Sequence, residues 1–118
     1  MFIRLKRAYA EAAEDDGFRV LVDRIWPRGI KKEEANLDDW MKEIAPSSKL
    51  RKWFNHEPDK WDDFRAQYFE ELDKNPGVVE EIAEKARSGT VTLVYAAKNE
   101  EYNNAVALKE YLKIKYDL

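Results

Sequence analysis

The segment Asp23-Arg24-Ile25-Trp26-Pro27-Arg28-Gly29 holds one carboxylate, two guanidinium groups and an indole around a rigid proline. A guanidinium presents a planar fork of donors that matches carboxylate or phosphate. Arg24 and Arg28, with Trp26 between them, therefore read as an anion cradle. The same residues admit an architectural reading, in which Asp23 pairs with an arginine, Arg28 caps a helix and Trp26 fills core. A second segment, Tyr95-Ala96-Ala97-Lys98-Asn99, supplies a phenol, an ammonium and an amide, and leads into a helix expected to start near Asn103. The free N–H groups of a helix start carry partial positive charge and favour an anion. Asn103 or Asn104 could instead simply cap that helix. His56, the single histidine, stands in Trp53-Phe54-Asn55-His56-Glu57-Pro58. It suits proton transfer near neutral pH, or a surface position just before a helix. The candidate ligand-binding set is Arg24, Trp26, Arg28, Lys98, Asn99 and Asn103. The acid/base candidates are Asp23, His56 and Tyr95.

Other chemistries find no support. With no cysteine in the chain, disulfides, thiolate metal sites and a cysteine nucleophile are excluded. One histidine and scattered carboxylates lack any metal-ligand spacing, so no metal is expected. The four glycines, at 17, 29, 77 and 89, lie too far apart for a phosphate or dinucleotide loop, so no cofactor is expected either. Ser47 and Ser48 sit in no nucleophile-elbow context and read as caps. Trp40, Trp53, Phe54, Trp61, Phe64, Tyr68 and Phe69 could stack on bases, but their helical spacing reads as core. The paired acids Asp62-Asp63, Glu70-Glu71 and Glu80-Glu81 read as solvated helix faces.

Charge narrows the partner. The net charge of −3 argues against sequence-independent nucleic-acid binding, which needs a basic surface to displace counterions. Residues 1–60 hold 13 Lys/Arg against 12 Asp/Glu, and residues 61–118 hold 8 against 12, so an anion-seeking surface is expected from the first half. Apolar residues at 44 % and charged residues at 38 %, with four Trp, five Phe and six Tyr, describe a globular chain. The opening Met-Phe-Ile-Arg-Leu-Lys-Arg alternates apolar and charged residues, unlike a signal peptide, and no run approaches a membrane span. A cytoplasmic location is expected.

The elements that must position these groups follow from periodicity. Phe2, Ile3 and Leu5 open a short strand, and Ala8–Asp16 admits a helical turn. Phe18–Ile25, with its Val-Leu-Val centre, reads as a strand buried on both faces, as in a parallel sheet, ended by Pro27 and Gly29. Asn36 is expected to cap a helix carrying Leu37, Trp40, Met41 and Ile44. Short helices follow around Leu50–Phe54 and from Pro58, the latter carrying Trp61, Phe64, Tyr68 and Leu72 on one face. Asn75-Pro76 opens another helix, closed by Gly89. Thr90–Tyr95 is the last strand, and Tyr102 to about Tyr116 the last helix. The expected fold is a single α/β domain over residues 1–118, with a small, mostly parallel three-stranded sheet flanked by about five helices. The direction of the first strand is left open by its short connection. Ligands of open α/β sheets gather at the carboxyl ends of strands, where both chemical segments fall.

The run from Val20 to Gly29 resembles the hallmark of the YeaO-like family, domain of unknown function 488. Two further stretches carry the same resemblance. One is Ala45-Pro-Ser-Ser-Lys-Leu-Arg-Lys-Trp-Phe54, continuing through His56 and Pro58 to Trp61 and Phe64. The other is Leu93-Val-Tyr-Ala-Ala-Lys98 through Asn103 to Tyr111-Leu112. Together they span nearly the whole chain in order, at the length of the family's short branch. The resemblance implies an α/β domain and makes Asp23, Arg24, Trp26, Pro27, Arg28, Trp53, Phe54, His56, Tyr95 and Lys98 parts of family motifs. It implies no settled activity. A longer branch carries cysteines in the regions where this chain has Tyr95 and Asn103, so thiol chemistry does not carry over. Two functions remain in view: binding, with or without turnover, of a small anion such as a phosphoester, nucleotide or carboxylate, or a non-catalytic binding or regulatory module for a protein or nucleic-acid partner.

Overall fold

In the computed structural model, which describes residues 3–118, four parallel strands form one sheet. They are β1 (Ile3–Arg7), β2 (Phe18–Leu21), β3 (Asp39–Trp40) and β4 (Val91–Tyr95), in the order β1-β4-β2-β3. Five α-helices accompany them: α1 (Lys32–Ala35), α2 (Ser48–Phe54), α3 (Trp61–Asp73), α4 (Pro76–Ser88) and α5 (Asn104–Tyr116). Phe2, expected in the first strand, lies outside the described residues. The strand left without a direction runs parallel to β4, in register from Ile3 opposite Val91 to Arg7 opposite Tyr95.

The Val-Leu-Val centre of β2 is buried on both faces: Val20, Leu21 and Val22 are inaccessible to solvent. Side chains alternate across a strand. Val20, Val22, Val91, Leu93 and Tyr95 meet Phe64, Tyr68 and Leu72 of α3, Val79 and Ile82 of α4, and Leu108 and Leu112 of α5 in one core. The other face carries Arg19, Leu21, Thr92 and Val94, and is covered by the connection 8–17 and the end of α1. There Thr92 Oγ1 donates to the Asp16 carbonyl at 2.6 Å, and Arg19 donates to the carbonyls of Asn36 and Ala35. The buried Asp16 carboxylate receives Lys6, Arg19 and the Ala13 N–H. Burial alone would raise its pKa, but these donors together hold it down at about 2. Gly17 lets the chain enter β2: its φ is +67°, and a Cβ there would lie 2.3 Å from the Thr90 carbonyl oxygen.

The sheet has four strands rather than three, because the expected helix from Asn36 does not form. Asn36 adopts a left-handed conformation (φ 49°) and ends α1 instead. Beyond it, the free edge of β2 takes up the chain. Asp38 N–H donates to the Arg19 carbonyl at 2.8 Å, the Asp38 carboxylate accepts the Arg19 N–H at 2.8 Å, and Met41 N–H donates to the Leu21 carbonyl at 2.9 Å. Pairing these edge groups outweighs local helix propensity in a short segment. The apolar set read as one helical stripe is split: Trp40 turns toward the end of β2, while Met41 and Ile44 are buried around a 3₁₀ turn at Lys42–Ile44.

The helices that flank the ligand edge start on well-made caps. Ser47 Oγ accepts the Leu50 N–H at the start of α2, and Glu71 of α3 takes both the N–H and the hydroxyl of Ser47 at 2.8 and 2.6 Å. Pro58 opens a 3₁₀ turn that runs into α3. Asn103 caps α5 through the Val106 N–H.

Candidate ligand-binding site

The carboxyl ends of β1, β4 and β2 open onto one cavity of about 660 Å³. Because β2 pairs directly with β4, the two chemical segments face each other across it.

Asp23 forms the floor. One carboxylate oxygen accepts the Ala96 N–H at 2.9 Å and the other the Asn104 side-chain amide at 3.0 Å. The same amide donates to the Val22 carbonyl at 2.9 Å, so Asp23 and Asn104 join the ends of β2 and β4 to the start of α5. Burial raises the Asp23 pKa, while the Asn104 and Ala96 donors, then the nearby charges of His56 and Arg51, oppose the rise.

Arg24 is committed to the fold. Its Nε donates to the Pro46 carbonyl at 3.1 Å and its Nη2 to the Ala45 carbonyl at 3.2 Å, bracing the approach to α2. Trp26 closes the loop by donating from its indole to the Ile30 carbonyl at 2.7 Å, and packs edge-on against Trp40 with ring centroids 5.3 Å apart. The Trp40 indole in turn donates to the Asp23 carbonyl at 2.7 Å. Arg28 projects into solvent at the rim, while its carbonyl accepts the Tyr9 hydroxyl at 2.9 Å. Since β4 lies between β1 and β2, this bond arches over the end of β4. Tyr9 is held from behind by Arg7, whose guanidinium sits 5.0 Å from the ring centroid and donates to the carbonyls of Ala96 and Ala97.

On the β4 side, Lys98 is exposed at the rim. Asn99 and Asn103 line the cavity, but their polar atoms organise the turn into α5. Asn99 Oδ1 accepts the N–H groups of Glu101 and Tyr102, and Asn103 donates to the Asn99 carbonyl while capping the helix. Opposite, α2 contributes Arg51 and Phe54, and the chain then takes two consecutive left-handed residues, Asn55 (φ 48°) and His56 (φ 56°). This uncommon backbone turns His56 onto the cavity. Tyr95 is the candidate that does not line it. The residue is buried in the core, which raises its phenol pKa.

Five groups that can carry positive charge, Arg24, Arg28, Arg51, His56 and Lys98, thus surround one acid, Asp23. None of the salt bridges among the described residues involves any of the five. Two lining residues that the sequence did not place in the candidate site are Arg51 and Tyr9. Arg51 carried a usable signal, since the segment Ser48–Phe54 contains Lys49, Arg51 and Lys52 and no acid. Tyr9 carried none, because its place over the cavity depends on strand order.

Fold and cavity define a class: a small parallel α/β domain with an open, cation-lined site at its strand ends. Residues 2–117 match the family described as the inactive DUF488-N3 subclade, and the chain belongs to this YeaO-like DUF488 family. It is 45 % identical over 113 residues to the uncharacterized protein YeaO of Escherichia coli (strain K12), covering 96 % of this chain and 98 % of that one. It is 40 % identical over 110 residues to the uncharacterized protein Rv3073c of Mycobacterium tuberculosis (strain ATCC 25618 / H37Rv), covering 93 % and 92 %. No solved structure matches. No helix among the described residues is long and apolar enough to cross a membrane.

Proposed function

We propose that this chain binds a small anionic ligand, a carboxylate or phosphoester, in the cavity at the carboxyl ends of β2 and β4. The observation that carries the reading is the charge imbalance of the cavity: Arg28, Arg51 and Lys98 line it with no ion-pair partner among the described residues, around a single acid. Asp23 opposes an anion less than its charge implies, because both its oxygens already accept hydrogen bonds from Ala96 and Asn104. Arg28 and Arg51 are the groups free to move onto a ligand, and Arg24 holds the wall behind them. The description of the family as an inactive subclade supports binding without turnover. So does the state of Asp23, which serves two structural donors rather than a reacting group.

Calorimetry at low salt with inorganic phosphate, phenyl phosphate and benzoate tests this. At least one of these anions is expected to bind, and Arg28→Ala or Arg51→Ala to weaken it about tenfold or more, the size of a lost charge-assisted hydrogen bond. Absence of any anion binding at millimolar concentration overturns the reading.

A second reading is favoured by one observation. The exposed side of α2 offers Lys49, Arg51, Lys52 and Trp53 with no acid in the helix, a surface suited to a polyanionic partner. Gel shift against single-stranded and duplex oligonucleotides at low salt would detect it, with Lys49→Glu abolishing the shift. The net charge of −3 weighs against it.

A further inference from the structure

The cavity does not have the lining of a site for a bare inorganic anion. Beside its cations, it presents Ile25, Trp26, Pro27 and Phe54, with Tyr9 across its rim. Four large apolar side chains are left exposed among the described residues, and two of them, Tyr9 at 48 % and Ile25 at 55 %, line this one cavity. Exposed apolar side chains gathered at a concave site are the mark of a surface that a ligand covers.

Tyr9 is also held in place. Its hydroxyl donates to the Arg28 carbonyl, and the Arg7 guanidinium backs its ring. The ring is therefore fixed beside the backbone of one of the free cations rather than sweeping through solvent. Holding an aromatic ring in this way lowers the entropy lost when a second flat group packs on it.

We propose that the ligand is an organic anion with a flat apolar body, such as an aromatic carboxylate or aryl phosphoester. Its body packs against Tyr9 and Ile25, and its charged end meets Arg28, Arg51 and Lys98. The inference rests on the anion reading above and names the part of the ligand that reading leaves open. Tyr9 then sets specificity: it makes no charge contact, and it separates organic anions from inorganic ones. A 660 Å³ cavity holds a single-ring or double-ring compound with room for its charged group.

The test is a matched series on the full chain: inorganic phosphate against phenyl phosphate, acetate against benzoate, and the neutral benzyl alcohol. Phenyl phosphate is expected to bind at least about tenfold tighter than phosphate, the gain from covering one ring's apolar surface. Tyr9→Ala should erase most of that gain, and Tyr9→Phe, which loses only the hydroxyl, should keep the larger part of it. Ile25→Ser gives a second, independent reduction of the same gap. Equal affinity for phosphate and phenyl phosphate overturns the apolar-body inference and leaves the anion site standing. Benzyl alcohol binding as tightly as phenyl phosphate overturns the anion reading itself. A gap that survives both Tyr9→Ala and Ile25→Ser overturns the assignment of the body to this wall.

Discussion

Two arginines four residues apart have opposite assignments. Arg24 spends Nε and Nη2 on the carbonyls of Pro46 and Ala45, two buried residues, whereas the Arg28 side chain stands exposed at the rim with no ion-pair partner among the described residues. Arg24→Ala strands those two carbonyls and should lower unfolding stability by about 1–3 kcal/mol. Arg24→Lys should recover little, since one ammonium cannot reproduce the two-pronged contact. Arg28→Ala should stay within about 0.5 kcal/mol of the parent. Denaturant titration of the three variants separates these outcomes, and equal losses for Arg24→Ala and Arg28→Ala would contradict the assignment. Sequence alone could not make this distinction. Composition and spacing put both arginines at a strand's end, but which one braces the chain depends on where residues 45 and 46 come to lie, 21 and 22 positions later. The same holds for Asn99 and Asn103, which the sequence offers as ligand groups and the fold spends on caps, and for Tyr95, which alternation along β4 turns into the core.

At the scale of elements, legibility followed the strength of local signals. The buried centre of β2, the long helices α3, α4 and α5, and the last strand were readable because their periods are long or their apolar runs continuous. Strand β3 was not, because only two residues form it and its reason for existing is the open edge of β2. Trp40 misled for the same reason: its spacing from Met41 and Ile44 fits a helix, but its indole finds the Asp23 carbonyl and its ring finds Trp26. Glycines give a sharper case. Gly17 and Gly29 both have positive φ, at +67° and +81°, yet a Cβ at Gly17 would press on the Thr90 backbone and one at Gly29 would meet nothing within 4 Å. Gly29→Ala should therefore cost about 1 kcal/mol of conformational strain. Gly17→Ala adds a collision with the Thr90 carbonyl, which accepts the Phe18 N–H at 3.0 Å and cannot move without disturbing that bond, and should cost more than about 3 kcal/mol. Thermal unfolding of the pair checks it, and similar melting temperatures for the two would show that the entry to β2 is softer than its contacts imply.

At the scale of the whole molecule, the sheet divides the work. One face, with α3, α4 and α5, holds the continuous apolar core, and the other is tied down by the Asp16 cluster under the connection 8–17. The cavity sits at the carboxyl ends of the strands, lined by the loops leaving β1, β2 and β4 and by α2, with Phe64 of α3 and Asn104 of α5 reaching it from the core side. Loops of this kind open locally at far lower cost than the core, so ligand binding should register in them first. Hydrogen exchange with saturating phenyl phosphate is expected to slow residues 8–10, 24–30 and 96–103 most strongly. Amides of α3 and α4 that exchange only through global unfolding should gain the uniform increment set by mass action, about 1.4 kcal/mol at ten times the dissociation constant. The two effects separate because the first is local and saturates with occupancy, whereas the second keeps growing with ligand concentration. At the same ligand concentration Arg28→Ala should reduce both together, since each depends on the same bound ligand. Protection confined to residues 11–17 around the Asp16 cluster, or to the exposed side of α2, would place the ligand on the wrong face of the sheet or outside the cavity, and would refute the site.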